Sequence, residues 1–188
     1  MTVKILAVSG SLRKQSLNTA LAHAAQAVAG DGISVEVATL HGIPLYDGDL
    51  EAQSGAPAAV QALKAKVLAC DGLLLVTPEY NNGIPGVFKN AVDWLSRAPA
   101  TEKVFADRPV AVIGASPGGF GTILSQNAWL PVLRTLGTRQ WAGGRLMVSR
   151  AHTLMNEQGE LADEKTRGLL RDFVAGFAQF AGAGSPDR

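Results

Sequence analysis

Short apolar runs alternate along this chain with longer stretches whose apolar residues recur at helical spacing, and this alternation limits the possible folds most strongly. The strand-like runs are residues 3–8, 34–39, 72–76, 109–115 and 145–148. The first helical stretch places Leu17, Leu21, Ala24 and Val28 on one stripe. Strand and helix alternate five times, which predicts an α/β fold with a parallel sheet covered by helices on both faces.

The composition of the strands indicates their position in that sheet. Residues 5–8 and 73–76 are continuously apolar, as expected of central parallel strands, whereas Val35 and Val37 alternate with polar residues, as on an edge. A five-stranded parallel sheet with an edge second strand favours the flavodoxin-like three-layer fold, with strand order 2-1-3-4-5. A chain of 188 residues suits one domain, which we expect over residues 1–182, followed by a disordered tail at 183–188.

Charge and cysteine content restrict the possible partners and the compartment. The formal net charge is +1, and lysine and arginine do not cluster, so neither a nucleic acid nor a membrane partner is expected. One cysteine, Cys70, cannot form a disulfide within the chain. The first residues do not resemble a signal peptide. Together these features predict a cytoplasmic protein.

The segment SGSLRKQSLN follows the first strand and leads into the first helix. It contains Ser11, Arg13, Ser16 and Asn18. The N-terminus of a helix offers unpaired backbone N–H groups to an anion, and an arginine with hydroxyls can bind a phosphate without a metal. The alternative is that Ser16 or Asn18 only caps the helix.

Two further unusual segments follow the third and fourth strands. TPEYNNGIPG could border a flat heterocycle through Pro78, Glu79, Tyr80, Asn81 and Asn82. ASPGGFG would allow a close backbone approach to a ligand at Ser116, Gly118 and Gly119. Each segment taken alone could equally be a plain turn between a strand and a helix.

The predicted fold places these three segments around one crevice, at the carboxyl ends of neighbouring strands. Neither a GxGxxG nor a GxxxxGK[ST] pattern is present, which argues against a resident dinucleotide and against a P-loop nucleotide. A mononucleotide with one terminal phosphate remains, and FMN fits an anion grip with a polar, aromatic wall. His23, His41 and His152 share no metal-binding pattern, so no metal site is predicted.

The same motifs, GSLRKQSLN, TPEYNNGIPG and SPGGFG in this order and spacing, resemble the NADPH-dependent FMN reductase family, which includes quinone, azo-dye and chromate reductases. The resemblance implies that the FMN phosphate is held by Ser11, Arg13, Ser16 and Asn18 with the backbone N–H groups of Leu17 and Thr19. It implies that the ribityl chain and ring are flanked by Pro78, Glu79, Tyr80, Asn81 and Asn82, and that the ring edge is completed by Ser116, Gly118 and Gly119. It also implies a homodimer or homotetramer.

The function implied by this resemblance is transfer of reducing equivalents from NADPH or NADH, through FMN, to small acceptors such as quinones, chromate, azo compounds or free flavin. The cofactor performs the redox chemistry, so no protein catalytic residue is predicted. Two alternatives are a one-electron carrier and a non-catalytic FMN-binding redox module; flavodoxin-like carriers are strongly acidic, and this chain is near neutral. The three tryptophans are expected in the core or at a subunit interface.

Overall fold

Parallel strands form the central layer of the molecule. The computed structural model describes residues 2–97 and 102–184. Within these ranges the strands are β1 (Val3–Ser9), β2 (Ile33–Ala38), β3 (Gly72–Val76), β4 (Pro109–Ala115), β5 (Arg139–Gln140) and β6 (Met147–Val148). Their order is β2-β1-β3-β4-β5, with β6 also paired to β4. All pairings are parallel, so the carboxyl ends lie along one edge of the sheet.

Helices cover both faces of this sheet. Their bounds are α1 (Leu17–Ala27), α2 (Gly48–Ser54), α3 (Ala58–Ala69), α4 (Gly86–Leu95), α5 (Ile123–Thr135) and α6 (Glu164–Gly182). One core cluster joins α1 and α6 to residues such as Ile5 and Leu74. The other joins α3, α4 and α5 to residues such as Leu6 and Leu75. Side chains alternate across the central strands, so each strand contributes to both cores.

The predicted flavodoxin-like fold and its strand order are confirmed, and β2 lies at the edge as expected. The last predicted strand, residues 145–148, is only partly right. The chain pairs with β4 twice, at Arg139–Gln140 beside the start of β4 and at Met147–Val148 beside its end. Two pairings of two residues each are too short to produce a readable apolar alternation.

A tryptophan occupies the interruption between β5 and β6. The Trp141 ring packs edge-on against Phe173, with 4.8 Å between ring centroids. A Cβ added at Gly143 would lie 2.6 Å from the Trp141 ring, and one at Gly144 would lie 2.7 Å from it. The chain therefore leaves the sheet at two glycines that make room for this ring.

The sequence interpretation missed helix α2. Each residue of this helix is at least partly exposed, so α2 has no apolar stripe that could be recognised from spacing. Its start is capped by Asp47, whose carboxylate accepts the N–H of Asp49 at 2.9 Å. The proposed tail at residues 183–188 lies largely outside the described residues, which end at 184. No helix in the described ranges is both long and apolar enough to cross a membrane.

Asp163 caps helix α6, and we predict that this cap makes stability depend on acidic pH. Its carboxylate accepts the backbone N–H of Thr166 at 2.8 Å and the Thr166 hydroxyl at 2.7 Å. These hydrogen bonds lower the pKa of Asp163 below its ordinary value of 3.8. The carboxylate therefore stabilises the fold fully above the unfolded-state pKa, and this contribution is lost as the pH falls through the lower folded-state pKa.

Asp163→Ala should lower Tm at neutral pH, and the gap to the unchanged protein should narrow below about pH 4, where the unfolded-state carboxyl protonates. Thermal unfolding followed by circular dichroism from pH 7 to pH 3 measures this gap. A gap that stays constant over the whole range would contradict a charge-dependent cap.

Candidate functional site

A cleft lies at the carboxyl ends of β1, β3 and β4, where the three unusual segments meet. We call them loop 1 (residues 10–16), loop 2 (residues 77–85) and loop 3 (residues 116–122). The cleft is lined by Ser11, Arg13, Ser16, Leu17, Asn18, Pro78, Glu79, Tyr80, Ala115, Ser116 and Pro117. Nine residues predicted from the sequence are thus brought together.

Five of the predicted site residues do not line this cleft: Thr19, Asn81, Asn82, Gly118 and Gly119. Two lining residues, Ala115 and Pro117, were not predicted. Both are apolar and carry no chemical signal of their own. Their position directly beside Ser116, in the loop after a central strand, is the signal that could have identified them.

Loop 1 presents hydrogen-bond donors and a cation at the start of α1. Ser16 is the N-cap, and its hydroxyl oxygen accepts the Thr19 N–H at 3.2 Å. The Ser11 hydroxyl oxygen accepts the Arg13 N–H at 3.2 Å. Both serines are buried, and their O–H groups remain able to donate. Arg13 is exposed, and among the described residues nothing pairs with its guanidinium. This arrangement suits a phosphate.

Thr19 stabilises the conformation of loop 1 through its hydroxyl and its backbone N–H. Its hydroxyl lies 2.8 Å from the hydroxyl of Ser9, which is fully buried at the end of β1. At Gly10, an added Cβ would lie 2.2 Å from the Phe88 ring, so only glycine permits this close packing of loop 1 on α4. The hydroxyl pair and the glycine together fix how the chain turns from β1 into α1.

Asn18 joins loop 1 to the end of β4. Its side-chain N–H donates to the Ala115 carbonyl at 2.9 Å, and its side-chain oxygen accepts the Ala115 N–H at 2.9 Å. The residue is only 5% exposed. The side-chain oxygen is thus committed to the backbone of β4 and is not available to a ligand.

Loop 2 contains a tight turn that presents an aromatic ring. Tyr80 and Gly83 bond each other in both directions, at 3.3 Å and 3.0 Å. Asn81 and Asn82 have φ values of 49° and 62°, the left-handed conformation that asparagine tolerates better than most residues. The two asparagines therefore shape the turn, and the half-exposed Tyr80 reaches the cleft.

The Glu79 carboxylate does not point freely into the cleft. Its Oε2 accepts the backbone N–H groups of Leu124 and Ser125, each at 2.9 Å, at the start of α5. Sequence reasoning placed Glu79 beside a cofactor but could not foresee this contact, since the partner lies 45 positions further along the chain.

Loop 3 is anchored to the segment that follows β6. The Ser116 N–H donates to the Val148 carbonyl at 3.0 Å, and the Ala151 N–H donates to the Ser116 carbonyl at 3.0 Å. The Arg150 N–H donates to the Gly118 carbonyl at 2.9 Å. Gly118 and Gly119 are exposed, with open space around the position of an added Cβ. Loop 3 thus forms a low wall made largely of backbone.

A larger cavity, of about 360 Å³, lies at the opposite end of the sheet, near Cys70 and Arg108. The Arg108 guanidinium is held by the carbonyl oxygens of Val104 and Cys70, at 2.5 Å and 2.8 Å. Burial raises the pKa of the Cys70 thiol, which donates to the Val67 carbonyl at 3.2 Å. This keeps the thiol protonated and weakly nucleophilic. The cavity shares no residue with the three loops.

The fold and the three-loop cleft define a flavodoxin-like protein with a polar cleft at the carboxyl edge of its sheet. Comparison with known proteins narrows this class. Residues 3–153 match the family model for NADPH-dependent FMN reductase. The chain is 41% identical over 169 residues to an NAD(P)H-dependent FMN reductase of Pseudomonas aeruginosa, covering 90% of each chain.

Two further relatives agree with that match. A 2-hydroxy-1,4-benzoquinone reductase of Burkholderia is 36% identical over 178 residues, with 95% of this chain and 96% of that protein covered. The solved structure of FerB, a flavoenzyme NAD(P)H:(acceptor) oxidoreductase from Paracoccus denitrificans, superposes with a TM-score of 0.85 at 32% identity, covering 97% of this chain and 99% of FerB. The chain belongs to the NADPH-dependent FMN reductase family and is an FMN-dependent oxidoreductase.

We predict that the Asn18 side chain contributes mainly to the stability of the fold, because it bonds both backbone groups of Ala115. Asn18→Ala would leave the Ala115 N–H and carbonyl without partners, at a cost of about 1–3 kcal/mol of unfolding free energy. Asn18→Asp should also destabilise the protein, because its second carboxylate oxygen would face the Ala115 carbonyl. Urea denaturation of the protein without cofactor measures both effects. An unfolding free energy unchanged in Asn18→Ala would contradict the role.

Proposed function

We propose that this enzyme passes reducing equivalents from NADPH or NADH, through FMN, to small acceptors such as quinones, azo compounds, chromate or free flavin. One observation carries the proposal. Loop 1 brings two buried hydroxyls and an exposed guanidinium to the start of α1, and the same cleft continues to the half-exposed Tyr80 and to the backbone of loop 3. This order of groups matches a ligand with a phosphate at one end and a flat ring at the other.

The phosphate end is assigned to loop 1 and the first turn of α1. Ser11 and Ser16 donate their hydroxyl protons, Arg13 supplies the positive charge, and Leu17 and Asn18 supply backbone N–H groups. Thr19 has a different part, because its N–H is already donated to the Ser16 oxygen. It holds the loop in shape through that bond and through the hydroxyl of Ser9.

The ring end is assigned to loops 2 and 3. Pro78 and Tyr80 line one side of the cleft, and Ser116 lines the other. Asn81 and Asn82 present Tyr80 through the turn that they form. Glu79 connects loop 2 to helix α5, and Gly118 connects loop 3 to Arg150. Gly119 adds no side chain to loop 3. In this proposal the two loops flank the ribityl chain and the isoalloxazine ring.

When bound, FMN supplies the redox chemistry, accepting hydride from the nicotinamide and delivering electrons to the acceptor. The residues of the chain would bind the cofactor and orient it. The donors of loop 1 neutralise the phosphate, and the backbone of loop 3 leaves one side of the cleft low enough for a second flat molecule. Our proposal therefore includes no acid, base or nucleophile from the protein.

The surroundings of the cleft support assembly into a homodimer or homotetramer, which we include in the proposal. Phe120 is 75% exposed, Tyr80 is 50% exposed and Leu124 is 43% exposed, and all three lie in or beside loops 2 and 3. Large apolar side chains grouped on a surface mark interaction sites. We also propose that residues 1–182 form a single domain and that the protein is cytoplasmic.

The central test mixes the purified protein with FMN, then with NADPH or NADH, and follows flavin absorbance by stopped flow before a quinone is added. We expect the flavin absorbance to fall with the nicotinamide and to return with the quinone. A flavin that binds but is not bleached by either nicotinamide would favour a one-electron carrier or a redox module without turnover.

Arg13 should contribute strongly to FMN affinity. Arg13→Ala removes a charge-assisted hydrogen bond of about 1.5–3 kcal/mol, which corresponds to a rise in Kd of about 10- to 150-fold. Lys14→Ala is the matched control, because Lys14 is the next basic residue of loop 1, is exposed and does not line the cleft. Fluorescence titration of the apoprotein with FMN gives both values. Equal effects of the two substitutions would argue that only general positive charge matters.

A further inference from the structure

Helix α5 starts without a cap of its own. Its N-cap residue, Thr122, has φ at +64°, the left-handed region, and within the described residues its side chain makes no capping hydrogen bond. The N–H groups of Leu124 and Ser125 are instead satisfied by Glu79 from loop 2. A carboxylate at this position also interacts favourably with the helix dipole. The start of α5 therefore depends on a residue from another loop.

A buried hydroxyl network joins the same two segments beneath Glu79. The Thr77 hydroxyl donates to the Pro78 carbonyl at 2.9 Å. Its oxygen accepts the Trp129 indole N–H at 3.1 Å, and Ser125 lies 2.9 Å away. Since the single Thr77 proton goes to Pro78, Ser125 must be the donor to Thr77. Thr77, Ser125 and Trp129 are all fully buried, so this network is shielded from water.

The backbone of β4 lies against both segments of this network. A Cβ added at Gly114 would lie 2.0 Å from the Thr122 hydroxyl oxygen and 2.3 Å from the Thr77 carbonyl oxygen. Only a glycine at this position lets loop 2 and the start of α5 approach so closely. Thr122 ends loop 3, so the Glu79 contact and the network together set the spacing between loops 2 and 3.

The direction of the Glu79 side chain separates its role from that of its neighbour. Glu79 is drawn toward α5, whereas Tyr80 continues into the turn and remains half exposed at the cleft. From this geometry we infer that Glu79 is a positioning residue, whose carboxylate acts through helix α5 to hold loops 2 and 3 at the separation that the flavin ring needs. The inference rests on the proposed function, because it concerns the ring end of the same cleft.

The test compares Glu79→Ala with Glu79→Gln, because glutamine keeps an oxygen that can accept the two N–H groups. Asp163→Ala is the matched control, since it also removes a carboxylate that caps a helix but does not line the cleft. Each protein is examined in three ways: FMN Kd, visible circular dichroism of bound FMN, and hydrogen exchange at the Leu124 and Ser125 amides of the apoprotein. The rate of flavin reduction by NADPH is measured alongside.

For Glu79→Ala we expect exchange at the two amides to accelerate at least 10-fold and the visible dichroism of FMN to change. The reduction rate should fall by about 10-fold, and Kd should rise by less than 5-fold because loop 1 is intact. Glu79→Gln should restore all four quantities to within about 3-fold. Asp163→Ala should lower Tm without altering the dichroism or the reduction rate.

Two results would overturn the inference. One is a Glu79→Ala protein whose dichroism and reduction rate match those of the unchanged protein. The other is a Glu79→Gln protein that is as impaired in reduction rate as Glu79→Ala although its Leu124 and Ser125 amides exchange as slowly as in the wild-type protein, which would show that the carboxylate does not act through helix α5. If Glu79→Ala does not fold, Glu79→Asp decides, because its shorter carboxylate cannot reach the Leu124 and Ser125 N–H groups from the same loop position. The dichroism of bound FMN should then shift, and an unchanged spectrum would contradict the inference.

Failure of the proposed function looks different from failure of this inference. A wild-type protein that cannot bind FMN would refute the proposed function. If the wild-type protein binds FMN and turns over, and Glu79→Ala has the same FMN dichroism and reduction rate, only the positioning role is refuted.

Discussion

Strand β3 is the constraint on which the remaining structure depends. All five of its residues are buried, and it pairs in parallel with β1 on one side and β4 on the other. A strand covered on both faces must be apolar throughout, and its neighbours must supply every backbone hydrogen bond. This pairing brings the ends of β1, β3 and β4 to the same edge. The three loops of the cleft meet because of this backbone arrangement.

The loops themselves are joined by polar side chains that bond to backbone groups far away in sequence. Asn18 spans from loop 1 to Ala115, and Glu79 spans from loop 2 to the start of α5. Such contacts tie the three separate turns to one another and to their neighbouring strand and helix. In the function proposed above, these contacts would matter because the cofactor performs the chemistry and the protein contributes by orienting it.

The sequence was sufficient to predict the strand order, the edge position of β2 and nine of the cleft residues. These follow from apolar periodicity and from unusual loop composition, which are local properties. Helix α2 was missed because its residues bury no stripe, and the double pairing of β5 and β6 was missed because each pairing is only two residues long. The direction of the Glu79 carboxylate depends on α5, which local sequence does not show. Trp129 was expected in the core or at a subunit interface; the structure places it in the core, where its N–H bonds to Thr77, a contact that could be found only from the structure.

The interruption beside β4 has a consequence for how another strand could add to this edge of the sheet. An exposed edge strand presents a row of unpaired N–H and C=O groups on which a strand of another chain can add. Here the edge is divided into two pairs of residues, and Trp141, in the segment that separates them in sequence, packs on Phe173. An incoming strand would find no continuous ladder along this described edge. The interruption thus limits the addition of another strand beside β4.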